Sequence, residues 1–157
     1  PTTAGAGPRG GAAAGVPPPA RAEMGRRRES ARAGGGQDLA AVADGRLLGY
    51  AYASAYRVRP AYRFVVENSV YVDGSARGRG VGRILLDRLV EDCAARGFRQ
   101  MVAVIGDSGN AASIGLHAAA GFANVGVLTA VGWKHGRWVD SVLMQRPLGP
   151  GATTPPV

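Results

Sequence analysis

The chain has 157 residues, a length typical of one domain, and a formal net charge of +8. Its one cysteine, Cys93, excludes a disulfide framework within the chain, and its two histidines argue against a histidine-rich metal site. No apolar run approaches the ~20 residues needed to span a bilayer and no segment resembles a secretory signal, so we expect a cytoplasmic protein without a membrane partner.

The first 37 residues are a low-complexity segment rich in Ala, Gly, Pro and Arg. Their sizeable apolar side chains are one Val and one Met, which cannot bury enough surface to offset the entropy of ordering. We therefore expect disorder at 1–37, a folded domain at 38–149 and a disordered tail at 150–157. The segment contains six arginines and two glutamates. Because no aromatic residue lies among them, a solvated arm is favoured over a nucleic-acid-binding one.

The next segments have the pattern of β-strands. "DLAAVADGRLLGYAYASAY" predicts two strands joined in a hairpin at Asp44 and Gly45. "YRFVVENSVYVD" predicts a third strand, because β-branched and aromatic residues dominate it.

A helix is predicted for "VGRILLDRLVEDCAARG", with Gly97 as its C-terminal stop. Two i,i+4 ion pairs, Arg83–Asp87 and Arg88–Asp92, are expected on its wetter side. A lone cysteine on a helical apolar stripe is typical of a core residue. The residues predicted to form the buried face are Val81, Ile84, Leu85, Leu86, Leu89, Val90 and Cys93.

The remaining pattern continues as strand, helix and two strands. "RQMVAVIG" predicts a central strand, and "NAASIGLHAAAG" a helix capped by Asn110 and ended by Gly121. "FANVGVLTAVGW" and "RWVDSVLMQRPL" predict strands joined at residues 134–136. The fold class is therefore α/β, with a mixed central sheet flanked by helices in the order β-β-β-α-β-α-β-β.

Three glycines, Gly78, Gly80 and Gly82, lie between the third strand and the first helix. A glycine-rich turn at a helix N-terminus is typical of phosphate binding, because free backbone N–H groups and the helix dipole attract anions. The Gly-Lys-Ser/Thr ending of a P-loop is absent and the spacing departs from G-x-G-x-x-G. The alternative is a glycine-rich turn that binds no ligand. The three neighbouring arginines disfavour this alternative.

Two motifs carry a resemblance to a known family. Arg77-x-x-Gly80-x-Gly82 resembles the pyrophosphate-binding motif of the GCN5-related N-acetyltransferases, and Asn110-x-x-Ser113-x-x-Leu116-His117 resembles their second cofactor element. From about residue 38 to 148 the sequence is similar to the branch that acetylates phosphinothricin and methionine sulfoximine.

The resemblance implies acetyl-CoA as cosubstrate, no metal, and a glutamate-like amino acid as acceptor. It implies Glu67 as the general base, and His117 as the general acid or proton shuttle. The substrate-binding residues implied are Pro60, Ala61, Tyr62 and Arg63, with Arg57 and Arg59 as competing clamps for a carboxylate. The cofactor-binding residues implied are Val70, Tyr71, Val72, Arg77, Gly78, Arg79, Gly80, Val81, Gly82, Arg83 and Asn110.

The chain departs from the family before residue 38, where we expect it to lack the usual N-terminal strand and helices. A natural truncation and a misassigned start or reading frame both fit that change. Without this strand and these helices, apolar sheet surface would be exposed, and such a surface favours a homodimer. The alternatives to an amino-acid acetyltransferase are an impaired acetyl-CoA-binding module, an acetyltransferase of a protein N-terminus or antibiotic amine, and an RNA-associated basic protein.

Overall fold

A computed structural model describes residues 23–26 and 37–156 of the chain. The strands in these residues are β1 (Glu23–Arg26), β2 (Gln37–Ala43), β3 (Arg46–Ala55), β4 (Val65–Val72), β5 (Gln100–Gly106), β6 (Ala123–Lys134) and β7 (Arg137–Pro147). The helices are α1 (Val81–Ala95) and α2 (Ala111–Ala119), with short 3-10 turns at Pro60–Tyr62 and Gly74–Ala76.

One mixed sheet contains these strands in the order β1-β2-β3-β4-β5-β7-β6. β4 and β5 are parallel, and the other neighbours are antiparallel. The α/β class and the six strands and two helices predicted from residue 38 onward are confirmed. Neither helix has the length and apolar character needed to cross a bilayer.

The N-terminal segment differs from the expectation at one point. Glu23–Arg26 form a strand that pairs with β2, whereas the sequence predicts no strand before residue 38. Residues 1–22 and 27–36 lie outside the described residues, so the boundary of the disordered segment and the loss of N-terminal helices stay predictions.

Two hairpin turns follow the predicted chemistry. Asp44 and Gly45 have φ values of 50° and 73°, and His135 and Gly136 have 54° and 73°. Positive φ at both central residues defines the type I′ turn, whose twist matches that of the strands it joins. The hairpins thereby set the registers of β2 with β3 and of β6 with β7.

Helix α1 packs its apolar side on one face of the sheet, which we call the helix face. Alternate residues of the central strands point to it, including Ala51 and Ala53 of β3 and Val66 of β4. Ile84, predicted to be buried, is 41% exposed, because it projects about 60° beyond Val81 around the helix. The buried residues of α1 are Val81, Leu85, Leu86, Leu89, Val90 and Cys93.

Cys93 lies fully inside this core, as predicted. Burial raises the pKa of its thiol to about 11, so the reactive thiolate is scarce at neutral pH. The ion pairs Arg83–Asp87 and Arg88–Asp92 form at 2.6 and 3.1 Å on the exposed side of α1.

Residues 149–154 form turns against the domain, whereas the sequence predicts a disordered tail at 150–157. Gly151 N–H donates to the Leu148 carbonyl at 2.9 Å, and Thr153 N–H donates to that of Pro150 at 3.1 Å. The Arg99 guanidinium donates to the Gly151 carbonyl at 3.2 Å. The Arg99 side chain, from the residue before β5, therefore contacts these C-terminal turns. Composition does not encode such a contact.

Gly49 of β3 provides a test of the packing between α1 and the sheet. A Cβ at this position would lie 2.6 Å from the Tyr71 carbonyl oxygen and 3.2 Å from Leu85 Cδ1. We expect Gly49→Ala to lower the free energy of unfolding by about 1–3 kcal/mol through overpacking. The measurement is urea denaturation followed by circular dichroism.

Gly115→Ala is the matched control. Gly115 is an exposed residue of α2 with open space around its Cα. Alanine there should raise stability by roughly 0.5–1 kcal/mol. Equal effects of the two substitutions would contradict the packing described for Gly49.

Candidate functional site

The central sheet opens between its two parallel strands. β4 and β5 are paired from Val65↔Gln100 to Asn68↔Ala103, and pairing stops there although both strands continue. The last residues of β4, from 69 to 72, are paired with β3 on one side only. Their other edge offers backbone N–H and C=O groups to a ligand. We call this opening the β4–β5 gap.

A cavity of about 490 Å³ lies beside this gap, between the end of β4, the glycine-rich turn and the start of α2. It is lined by all the cofactor-binding residues predicted from the sequence except Arg79. Sequence reasoning did not select four further lining residues, although two of them belong to the quoted Asn110 motif. These four are Ala76, Ala112, Ser113 and Leu116.

Helix α1 begins at this cavity with free backbone donors. Gly80 is its N-cap, and the first bond of the helix runs from Ile84 N–H to the Gly80 carbonyl at 3.1 Å. The N–H groups of residues 81–83 precede that bond and have no partner within an α-helix. Together with the helix dipole and the Arg77 side chain, they suit a phosphate or diphosphate.

The three glycines of the turn meet two different requirements. Gly78 and Gly80 have φ values of 71° and 79° with open space around them, so backbone conformation demands glycine there. At Gly82 a Cβ would lie 3.2 Å from Leu116 Cδ2 and 3.3 Å from Val72 Cγ2. Gly82 therefore lets α1 approach α2 and β4 closely.

Arg83 has a structural partner on each side. Its guanidinium binds Asp87 at 2.6 Å and the carbonyl of Ala119 at 2.8 Å. The side chain thus joins the start of α1 to the end of α2. Arg83 contributes its backbone N–H to the cavity, while its charge is shared with these partners.

The loop before α2 is fixed by a network of side chains. The Asn110 side chain caps α2 by accepting from Ser113 N–H at 3.2 Å, as predicted. Asp107, at φ 73°, accepts from Gly109 N–H at 3.0 Å and forms an ion pair with Arg137. Ser108 donates to Asp140 at 2.8 Å. These contacts hold the cavity-lining start of α2 against β7.

His117 is buried at 4% exposure on the last turn of α2. Its Nε2 lies 2.9 Å from Asn68 Oδ1, and its Nδ1 lies 2.8 Å from the Ser113 carbonyl oxygen. Phe122 packs edge-on against the ring, with centroids 5.1 Å apart. Burial lowers the pKa of His117, and the Ser113 carbonyl opposes that shift. Asn68 was not selected from the sequence, since a strand asparagine has no distinctive local signal.

Glu67 points to the opposite face of the sheet from Asn68, because successive strand residues alternate. It shares that face with Tyr50, Tyr52 and Tyr71, and the face is named here the tyrosine face. The Tyr50 and Tyr71 rings stack with centroids 4.8 Å apart. Glu67 is half-buried, and desolvation raises the pKa of its carboxyl group. Glu67 and His117 thus lie on opposite sides of the strand that borders the gap.

The predicted substrate residues are not in the cavity. Pro60, Ala61 and Tyr62 form an exposed 3-10 turn before β4, whereas the cavity lies at the other end of that strand. The Arg63 guanidinium donates to the Pro60 carbonyl at 3.1 Å and stacks on the Phe64 ring. Arg57 lies over the Tyr56 ring. Glu67 is the candidate residue nearest this turn along β4.

Comparison with known proteins gives consistent matches. The sequence profile described as the acetyltransferase (GNAT) family matches residues 14–122. A phosphinothricin N-acetyltransferase of Alcaligenes faecalis is 59% identical over 118 residues, which cover 75% of this chain and 60% of that protein. An L-methionine sulfoximine/L-methionine sulfone acetyltransferase of Pseudomonas aeruginosa is 46% identical, covering 74% of this chain and 67% of the relative.

A solved structure supports the same assignment of fold. The crystal structure of a phosphinothricin acetyltransferase of the GNAT superfamily from Sinorhizobium meliloti, in complex with AcCoA, superimposes with a TM-score of 0.75 at 51% identity. The match covers 79% of this chain and 67% of that one. The chain thus spans about two thirds of the length of these relatives.

The half-buried Glu67 carboxylate makes a testable contribution to stability. Its folded-state pKa is raised, so ionising it opposes folding as pH rises through that pKa. We expect Glu67→Gln to be more stable than the parent at pH 7. The difference should vanish below about pH 4, where the acid is protonated in both states.

Urea midpoints measured from pH 3 to pH 8 test this dependence. Glu91→Gln is the control, because Glu91 is an exposed residue of α1 in a loose pair with Arg88 at 3.7 Å; its effect should stay within about 0.5 kcal/mol. If Glu67→Gln were less stable than the parent at pH 7, the surroundings would stabilise the Glu67 carboxylate, contrary to this prediction.

Proposed function

The chain belongs to the acetyltransferase (GNAT) family, and we propose on that basis that it transfers the acetyl group of acetyl-CoA to the α-amine of a glutamate-like amino acid. Phosphinothricin and methionine sulfoximine are the acceptors to test first, because relatives carry these activities in their names. The observation that carries the proposal is the glycine-rich start of α1, which lines a cavity beside the β4–β5 gap.

The residues around the cavity fit the donor. A diphosphate suits the backbone N–H groups of residues 81–83 and the Arg77 side chain. The unpaired edge of β4 at Val70, Tyr71 and Val72 suits an extended amide-containing arm, which can add to a sheet edge as a strand does. Bound there, the donor supplies an acetyl group already activated as a thioester.

Glu67 serves as general base in this proposal, directly or through a water molecule. An α-ammonium group must lose a proton before its nitrogen can attack, and a carboxylate with a raised pKa is a better acceptor for it. The tyrosine face gives the amine access to Glu67 without crossing the helix face. Arg63 lies four residues earlier on the chain, in the turn before β4, and would hold the acceptor carboxylate.

His117 serves as general acid on the other side of β4. Departure of the coenzyme A sulfur is easier if the sulfur receives a proton as the C–S bond breaks. The placement of base and acid on opposite sides of one strand matches the two sides from which acceptor and donor approach. In this proposal Glu67 takes the protons of the amine and His117 supplies the proton of the sulfur.

A thiol-release assay tests the proposed reaction. Purified protein with acetyl-CoA should release coenzyme A thiol only when phosphinothricin, methionine sulfoximine or another accepted amine is present. Glu67→Gln should lower kcat/KM by ~10²–10⁴-fold, because it removes the base at nearly constant size. Acetyl-CoA affinity, measured by calorimetry, should remain within about twofold.

Tight acetyl-CoA binding without release for any amine in a broad panel would favour the binding-module alternative. If coenzyme A did not bind at all, the interpretation of the cavity as an acetyl-CoA site would be rejected. If coenzyme A thiol were released with peptides or aminoglycosides and not with amino acids, the acceptor would belong to a different class of amine.

We also propose that two copies associate through β6, the sheet edge. Its side chains are exposed and apolar, including Val125 at 60% and Trp133 at 63%, and no charged residue occurs from 123 to 133. Uncharged, long edge strands are prone to pair with another strand, and two identical strands can do so antiparallel about a two-fold axis.

Light scattering coupled to size exclusion checks the association. The parent chain should have the mass of a dimer at micromolar concentration, and Val127→Lys should shift it towards monomer by placing like charges across the axis. Lys134→Gln, at the end of the strand, is the control and should leave the mass unchanged. A monomeric parent at 100 μM would reject the proposed dimer.

A further inference from the structure

Three polar groups form a chain across the point where the sheet opens. Asn68 Nδ2 donates to the Val102 carbonyl of β5 at 3.2 Å, and Asn68 Oδ1 faces His117 Nε2 at 2.9 Å. His117 Nδ1 faces the Ser113 carbonyl at 2.8 Å. Asn68 is 5% exposed and is the last residue of β4 paired with β5. β4, β5 and α2 are therefore joined at one residue.

The orientation of the Asn68 amide follows from its neighbours. The Val102 carbonyl can only accept, so the amide group beside it must be the NH₂ donor. The oxygen of Asn68 then faces His117 and can only accept as well. Reversing the amide would place two oxygens 3.2 Å apart in a buried site, at the expense of a hydrogen bond. His117 Nε2 must therefore carry a hydrogen to bond Asn68.

The other ring nitrogen has the same requirement. The Ser113 carbonyl is an acceptor, so a hydrogen bond at 2.8 Å needs hydrogen on Nδ1. A neutral imidazole has one N–H and can satisfy only one of these contacts, whereas the imidazolium satisfies both. With the ring 4% exposed, water cannot readily replace the missing partner.

Among the groups around the His117 ring, the Asn68 amide and the Ser113 carbonyl are the ones that favour its protonated form. β4 presents the neutral Asn68 amide, while Glu67 points to the tyrosine face; β5 presents the Val102 carbonyl, and Phe122 an apolar ring. Beyond the ring, Arg83 and Arg146 bind the last carbonyls of α2. Burial disfavours an imidazolium, so the two facing acceptors must compensate.

We propose that Asn68 is a positioning residue that keeps the second proton on His117 and holds Nε2 at the point where β4 and β5 separate. This inference rests on the proposed acetyl transfer. The acceptor nitrogen loses two protons by the time its bond to the acetyl carbon has formed and the C–S bond has broken. Glu67 takes both protons in turn: it passes the first to solvent before attack and takes the second as the new bond forms. His117 gives its own proton to the leaving sulfur and is later reprotonated from solvent. Asn68 touches no reacting atom in this scheme and acts through His117.

Imidazole titration by nuclear magnetic resonance tests the inference without relying on activity. The full sequence contains two histidines, His117 and the exposed His135 of the β6–β7 turn. His135→Gln assigns the signals, and His135 is the internal control in every sample. Asn68→Leu removes the acceptor at similar size, and Asn68→Asp replaces it with a carboxylate of the same shape.

The expected shifts have opposite signs. The pKa of His117 should fall by about one unit or more in Asn68→Leu and rise by about one unit or more in Asn68→Asp. His135 should titrate identically in all three proteins. An unchanged His117 titration in both variants would overturn the proposal, as would a downward shift in both. A role limited to packing would alter urea midpoints and leave the titration in place.

The pH profile of kcat/KM links the titration to catalysis. The alkaline limb, where His117 loses its proton, should move to lower pH in Asn68→Leu and to higher pH in Asn68→Asp. Acetyl-CoA affinity should change by less than about twofold, because Asn68 does not line the cavity. If the parent released no thiol, the proposed function would fail while the titration still decided the role of Asn68. An alkaline limb unmoved by either variant would overturn the link.

Discussion

The separation of β4 from β5 after Asn68 and Ala103 is the constraint on which the rest of the site depends. Parallel strands normally continue as a hydrogen-bonded ladder, and here four residues of β4 leave it on one side. The exposed edge gives a ligand backbone donors and acceptors in the interior of the sheet. Asn68 stabilises the opening, because its side-chain amide donates a hydrogen bond to β5 where the ladder stops. The cavity, the buried histidine and the half-buried carboxylate are all arranged around that point.

The glycine-rich turn shows how one motif can meet several demands. Gly78 and Gly80 allow left-handed backbone, which brings the chain from β4 into the first turn of α1. Gly82 lets that turn contact Leu116 and Val72, so α1 and α2 meet at the cavity. Arg83 then closes the contact from the outside by binding Ala119. The N–H groups proposed to bind an anion are therefore held by packing between helices as well as by the turn.

Local patterns predicted most of the fold, because strands, helices, caps and type I′ turns depend on residues close in sequence. Asn110, Gly97 and the pairs at Asp44 and His135 are of this kind. Asn68 and the Arg99 contact with the tail could not be predicted, since each joins segments more than 30 residues apart. The place of Arg63 was equally hidden, because its guanidinium is engaged by its own loop. For the candidate site, the motif predicted the cavity lining, while the pairing of His117 with Asn68 required the register of β4 and β5.

Alternation along β3 and β4 gives the two sides of the sheet separate tasks. Odd and even positions of β4 face different sides of the sheet, with Glu67 and Tyr71 on one side and Asn68 and Val70 on the other. Under the proposed function, substitutions on the tyrosine face other than at Tyr71, which lines the cavity, can change which amine is accepted and leave the binding of the thioester intact. A family built on this plan can diversify its acceptors through one set of alternate residues, and selection on that set is decoupled from selection on the donor.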